Sequence, residues 1–267
     1  MDEKTILFSG DDDVEMFQAS IDAQETFKYF WRELSWEYRR IIPGLDLNAA
    51  KVAFETDPGQ QASYEHMWVN ELNFDGVMLT GTLMNDPNWI ESIGAGDKVD
   101  FRFGEISDWM YSIDDKVYGA YTVNLMRSRM SPQEMRGHDE AWGLDFGDPN
   151  KIEIFYKSKP RKKGLLSMFK KDSVATDEEM MNAEHPMCLN MLDSLREQLQ
   201  GSDEMLKSQD DKGNTMMHSD ALAGNAPVVE ILLEHGADPK QKNIHGQTVV
   251  DMANVLKWDN VLKVLQG

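Results

Sequence analysis

The feature that most constrains this chain is a repeat in its last third. Gly213 and Gly246, Thr215 and Thr248, and the apolar segments beginning at Val228 and Val261 each lie 33 residues apart. A fixed step of that size marks stacked copies of one supersecondary unit, each burying its apolar face only against a neighbour. Two copies alone make a marginal stack, so upstream helices must close it. Residues 187–199 and 202–206 have the composition for that task.

The stretch Gly213-Asn214-Thr215-Met216-Met217-His218, continuing past Gly224 to Val228 and on to Leu232-Leu233-Glu234-His235-Gly236-Ala237-Asp238, closely resembles an ankyrin repeat. A second copy runs from Gly246-Gln247-Thr248 to Val264-Leu265 and ends as a terminal repeat does. The resemblance implies an all-α ankyrin-repeat domain over residues 177–267. Its framework is Gly213, Thr215, His218, Gly224, Leu232, Leu233, Gly236, Ala237, Asp238, Gly246 and Thr248. It also implies that the His218 imidazole bridges backbone groups in its turn, that the stack binds protein partners, and that these residues carry no chemistry. The sequence departs from the family pattern at Met216-Met217, where Pro-Leu is usual, at Asp220, where a small residue is usual, and at Asp251, where histidine is usual. The first helix of each repeat is therefore expected to pack imperfectly.

At 267 residues the chain is long enough for two domains. With 41% hydrophobic and 28% charged residues it has the composition of a folded globular protein. The formal charge of −20 repels phosphates and anionic lipid, which excludes sequence-independent nucleic-acid binding and favours a basic protein partner. No run reaches the ~18 apolar residues of a membrane span, and Met1-Asp2-Glu3-Lys4 lacks a secretory layout, so a cytoplasmic protein is expected. The single cysteine, Cys188, rules out an internal disulfide and a thiolate-rich zinc site, and is expected to be a small core residue.

Upstream of the repeat the periodicity changes. Phe27, Phe30, Trp31, Leu34 and Tyr38, spaced near three and four, predict an amphipathic helix over residues 22–40 that ends at Pro43-Gly44. Short apolar or alternating runs at 51–54, 65–72, 77–83, 98–103 and 117–123 are separated by turn signals such as Asp57-Pro58-Gly59 and Asp75-Gly76, the pattern of a small antiparallel sheet, barrel-like or curled. Ser131-Pro132-Gln133-Glu134 supplies a cap, a first-turn proline and a capping-box glutamate, so a helix starts there and stops near Gly143. A last strand is expected over 151–156, closing an α+β domain over residues 1–157. A basic linker follows over 158–176. From residue 157 to residue 171 the chain carries seven cationic residues and no acidic one.

The residues from about 30 to 155 resemble the YegJ-like bacterial domain family. The likeness rests on Glu65-His66-Met67-Trp68-Val69, Gly81-Thr82-Leu83 with Asn85-Asp86-Pro87, Ile106-Ser107-Asp108-Trp109-Met110, and His138-Asp139 leading through Ala141-Trp142-Gly143-Leu144-Asp145-Phe146 to Gly147-Asp148-Pro149. The resemblance supplies a boundary and no activity. Small domains of this kind are similar to those of bacterial toxin-immunity proteins.

His66, Trp68, Asp108, Trp109, His138, Asp139, Trp142, Asp145 and Asp148 form the candidate cluster. Imidazoles and carboxylates in such number suit a divalent metal or an acid and base. The same residues suit tight turns, where aspartates cap and tryptophans seek a partner for the indole N–H. No phosphate loop, dinucleotide fingerprint or nucleophile elbow is present, and no cofactor is implied. These signals point to an intracellular bacterial protein-binding protein. Its sharpest form is an immunity protein that neutralises a toxin or effector. The alternative is a metal-dependent hydrolase or small-ligand sensor in the first domain, with the ankyrin stack as a targeting arm.

Overall fold

The structure is a computed structural model and describes residues 13–157, 176–201 and 203–267. Residues 158–175 of the expected basic segment lie outside the described residues. The chain opens with α1 (Val14–Glu37), whose first turn is capped by the Asp13 carboxylate accepting from the Met16 N–H at 3.1 Å. This cap starts the helix earlier than the apolar spacing alone predicts.

Six strands follow: β1 (Leu47–Glu55), β2 (Tyr64–Phe74), β3 (Leu79–Leu83), β4 (Lys98–Phe101), β5 (Ile106–Ile113) and β6 (Lys116–Gly119). They form one antiparallel sheet in the order β4-β3-β2-β1-β5-β6, so β4 and β6 are both edges. The α+β class holds, but the sheet is open and does not close into a barrel. Central β5 is buried along nearly its whole length, which is why it lacks the alternation that marks a half-buried strand.

Residues 117–123 divide between two elements. The strand ends at Gly119, Ala120 takes a left-handed φ of 58°, and α2 (Tyr121–Ser128) begins. α3 (Pro132–Trp142) carries the expected capping box between Ser131 and Glu134 and ends at Gly143, with φ 68°. Residues 151–156 are a correction: they form no strand. They attach through Gly119 N–H donating to the Glu153 carbonyl at 2.8 Å and Tyr111 Oη donating to the Ile154 carbonyl at 3.0 Å.

The remaining helices are α4 (Asp177–Met181), α5 (Pro186–Leu199), α6 (Asp203–Lys207), α7 (Met216–Leu222), α8 (Ala226–Glu234), α9 (Val249–Val255) and α10 (Asp259–Gln266). α7/α8 and α9/α10 are the two repeats, and α5 packs on α8 as the closing helix upstream. At the departures from the family pattern Met217 and Asp220 are buried, Met216 is half-buried and Asp251 is exposed, and Asp220 Oδ2 is buried without a hydrogen-bond partner among the described residues.

Alternate residues of β1 and β2 divide the sheet faces. Ala50, Val52, Met67 and Val69 join α1 in a hydrophobic cluster that continues without a break into Val229, Leu232, Trp258 and Val261 of the ankyrin helices. On the other face a smaller core of Met110, Val117, Ala120, Val123 and Phe146 lies beneath α2, with Trp68 packed against it.

Candidate functional site

The repeat framework is a set of solved turn problems. Thr215 and His218 bracket the first turn of α7. His218 Nδ1 accepts from the Thr215 N–H at 3.2 Å, and its Nε2 meets the Gln241 carbonyl at 3.1 Å, which assigns the neutral imidazole protonated on Nε2. Burial lowers the His218 pKa, in keeping with that form. One period later Asp251 takes over. Its carboxylate accepts from both the N–H and the hydroxyl of Thr248, each at 2.7 Å, and these bonds hold its pKa low. At the far end of the first repeat, Gly236 and Ala237 N–H groups donate to the Leu233 and Leu232 carbonyls, both at 3.0 Å. Asp238 then turns the chain by accepting from the Lys240 N–H at 2.9 Å.

α1 lies along the turns that join the two helices of each repeat. Trp36 Nε1 donates to Asn225 Oδ1 at 3.0 Å, and Asn225 Nδ2 donates to Asp220 Oδ1 at 2.8 Å. Asp220 thus fills its unusual place through partners, receiving Arg39 Nη1 at 2.9 Å as well. Glu33 meets His185 at 2.8 Å, Arg32 donates to the Ala183 carbonyl at 3.1 Å, and the Tyr29 and Trp258 rings meet edge to face at 5.7 Å. The β2–β3 hairpin adds a second contact, with Asp75 on His245 at 3.2 Å and Gln247 donating to the Gly76 carbonyl at 3.3 Å. Cys188 is buried between α5 and α8, and burial pushes its thiol up to about 12. What α1 and the hairpin leave uncovered includes a groove of ≈630 Å³ lined by Glu204, Met205, Gln209, Asp210, Met216 and Ser219 among others.

The candidate cluster in the first region separates into three places. His66 and Trp68 lie on β2 beside Lys51 of β1, on the face turned to α2. His66 Nδ1 meets Ser107 Oγ at 2.9 Å, and burial followed by the charge of Lys51 pushes the imidazole down to about 4. The Lys51 ammonium stands 5.9 Å over the Trp68 ring and donates to Thr122 Oγ1 at 3.5 Å. Beneath it the fully buried Asp108 accepts from the N–H groups of Tyr121 and Thr122 at 2.9 and 2.8 Å and from the Thr122 hydroxyl at 2.6 Å. Asp108 therefore caps α2 from a neighbouring strand. Burial raises its pKa against those bonds and the attraction of Lys51.

Trp109 points the other way, into the main core, donating Nε1 to the Ala23 carbonyl at 2.9 Å and stacking on Phe30 at 5.3 Å. His138 and Asp139 start the third place, on α3. Asp139 binds Arg127 in a fork, Nε to Oδ1 at 2.8 Å and Nη2 to Oδ2 at 2.7 Å, and also meets His138 at 2.9 Å. Partial burial opposes ionisation of Asp139, but these bonds outweigh it and lower its pKa. Trp142 links α3 to the sheet by meeting Trp68 edge to face at 6.4 Å. Asp145 and Asp148 serve turns, accepting from the N–H groups of Gly147 at 2.9 Å and Asn150 at 3.0 Å.

His66 and the His138–Asp139 pair thus belong to separate networks. Among the described residues no group of three His, Cys, Asp or Glu side chains comes together to hold a metal ion. Lys51, Ser107, Thr122 and Arg127 were not singled out by spacing. Lys51 opposite Asp108 emerges only from strand register, and Arg127 only from the packing of α2 on α3.

These features define an ankyrin-repeat protein whose stack is packed on an antiparallel-sheet region. The comparisons agree. The family model described as an uncharacterized protein conserved in bacteria (DUF2314) matches residues 13–146, and the chain belongs to that family. A model of ankyrin repeats (many copies) matches residues 200–253. The chain is 38% identical over 266 residues to a putative ankyrin repeat protein of Neisseria meningitidis serogroup B (strain MC58), covering 100% of this chain and 98% of that protein. It is 35% identical over 69 residues to the uncharacterized protein YegJ of Escherichia coli (strain K12), covering 26% of this chain and 43% of that protein. No helix among the described residues is long and apolar enough to cross a membrane.

Proposed function

We propose that this chain is an intracellular protein-binding protein that holds a basic partner, and that its sharpest role is that of an immunity protein neutralising a toxin or effector. The observation that carries the reading is the distribution of covered and uncovered surface on the stack. α1 and the β2–β3 hairpin occupy one side, while the groove beside α6 and α7 is open, with Glu204 and Asp210 as acidic groups and Met205 and Met216 as adaptable apolar contacts. A net charge of −20 adds long-range attraction for a basic surface. In this reading residues 1–157 form a supporting domain, 158–176 a basic linker, and 177–267 the binding domain.

The test is affinity capture of the tagged full chain from its own host at low and moderate salt, beside a Glu204→Arg variant. The reading predicts one stoichiometric basic partner, weakened by salt and lost when the groove charge is reversed. A column without a stoichiometric partner, or a partner held equally by the variant, contradicts it.

A further inference from the structure

The sheet treats its two edges differently. Along β6 the chain covers its own edge, with Val117 N–H donating to the Asp145 carbonyl at 2.9 Å and Gly119 N–H to the Glu153 carbonyl at 2.8 Å. β4 has β3 on one side and no strand on the other. A row of backbone groups left at such an edge is a template for another strand. Two bonds fix which groups β4 turns outward. Met84 N–H donates to the Trp68 carbonyl of β2, and Leu83 N–H donates to the Asp97 carbonyl, both at 2.9 Å. Backbone groups alternate sides along an antiparallel strand, and the β3–β4 register runs without a bulge from Thr82↔Lys98 to Leu79↔Phe101. Val99 and Phe101 therefore face β3, while Lys98 and Asp100 turn both N–H and C=O to the open edge. Among the described residues no turn, loop or side-chain group bonds to those backbone groups. The next outward N–H, that of Arg102, is held by the Glu105 carboxylate at 2.7 Å, so the open edge ends there.

The side chains on this edge specify what pairs with it. Val99 and Phe101 point into the core, so Lys98 and Asp100 share the exposed face and set opposite charges side by side along it. Two copies of β4 running antiparallel about a twofold axis at Val99 place Lys98 of each opposite Asp100 of the other. In that register the outward groups of Lys98 and Asp100 exchange N–H···O=C bonds in both directions. A shift of two residues either way sets Lys98 against Lys98 or Asp100 against Asp100, so charge selects one register. In the single chain the Lys98 ammonium turns inward to the Glu71 carboxylate at 2.7 Å, an exposed pair of the weakly held kind from which the long side chain swings to the edge. We propose that β4 is a dimerisation edge, at which two copies of this chain join their sheets through antiparallel pairing of Lys98 with Asp100. An edge this short makes a small contact of the weak, transient class, so the dimer forms at high local concentration.

The proposal is tested on the full chain by sedimentation velocity and by residue-resolved amide exchange, at chain concentrations from roughly 10 µM to 1 mM. A monomer–dimer equilibrium is expected, and exchange of the Lys98 and Asp100 amides slows as concentration rises while that of Val99 and Phe101, already bonded to β3, does not change. Asp100→Lys sets lysine against lysine in both pairs and weakens association roughly tenfold without unfolding the chain. Lys98→Asp sets aspartate against aspartate and does the same. An equal mixture of the two variants restores the pairing and forms the dimer that neither forms alone. If Lys98→Asp fails to fold, Asp100→Lys and the amide readout of the native chain decide. A monomer at every concentration, a dimer unaffected by Asp100→Lys, or a dimer in which the Lys98 and Asp100 amides exchange as in the monomer overturns the proposal.

Discussion

Gly224 and Lys257 occupy equivalent places one period apart, and both have a positive φ, 76° and 55°. At Gly224 a Cβ would overlap the Trp258 indole that covers the turn. Gly224→Ala combines that overlap with left-handed strain and is expected to cost about 2–4 kcal/mol, read from urea midpoints. Lys257→Gly relieves strain at an exposed turn and is expected to be neutral or stabilising by up to ~1 kcal/mol in the same assay. Arg127, nearly devoid of solvent contact, is the other residue on which much depends. Arg127→Met leaves Asp139 without its fork and is expected to destabilise by on the order of 3 kcal/mol. His66 gives the pH dependence its direction. Its folded pKa of about 4 lies below the ordinary ~6.5, so between those values the unfolded chain holds a proton that the folded chain lacks. Stability therefore falls as pH drops through that window. His66→Gln is expected to remove on the order of 2 kcal/mol of that fall, measured as chemical-denaturation stability at several pH values.

Among the elements, α1 does two jobs. Phe27, Phe30 and Trp109 lock it to the sheet, while Arg32, Trp36 and Arg39 reach the repeat turns. Spacing at three and four showed the first face and not the second, because the second is built from polar groups and a tryptophan paired across the seam. Trp36 is as fully buried as Phe30. Asn225→Ala strands the Trp36 N–H and removes one of the two donors to Asp220 Oδ1, leaving Arg39. It is expected to cost roughly 2–4 kcal/mol, seen as a lowered urea midpoint of the full chain. Other elements were legible to the degree that their signals are local. The Ser131 capping box, the 33-residue step and the β2–β3 turn at Asp75-Gly76 needed no tertiary information. β5 and α2 were hidden because burial on both faces erases alternation, and because the α2 cap, Asp108, is 13 residues from the N–H group it holds on Tyr121. For the same reason the candidate cluster mixes roles. His66 and Asp108 belong to the Lys51 network, whereas Asp145 and Asp148 are turn residues whose Asx bonds follow from their own neighbours.

At the scale of the molecule, two repeats closed upstream by α5 gain a second support from α1 and a third from the β2–β3 hairpin. One hydrophobic cluster runs from Val52 and Phe30 to Val261. A stack supported in this way depends on the sheet region for its stability, and the sheet region depends on the stack to cover Trp31 and Trp36. The groove proposed above for the partner lies beside this seam, so in that proposal the rigidity of the seam sets how far the groove is preorganised. The most direct measurement is native-state hydrogen exchange on the full chain, resolved by peptide, comparing α8 and α10 with α1 and β1. The account predicts that all four share one highest opening free energy and lose protection together as denaturant rises. Exchange of α8 and α10 through a separate, lower-energy opening, with α1 and β1 still protected, would contradict it.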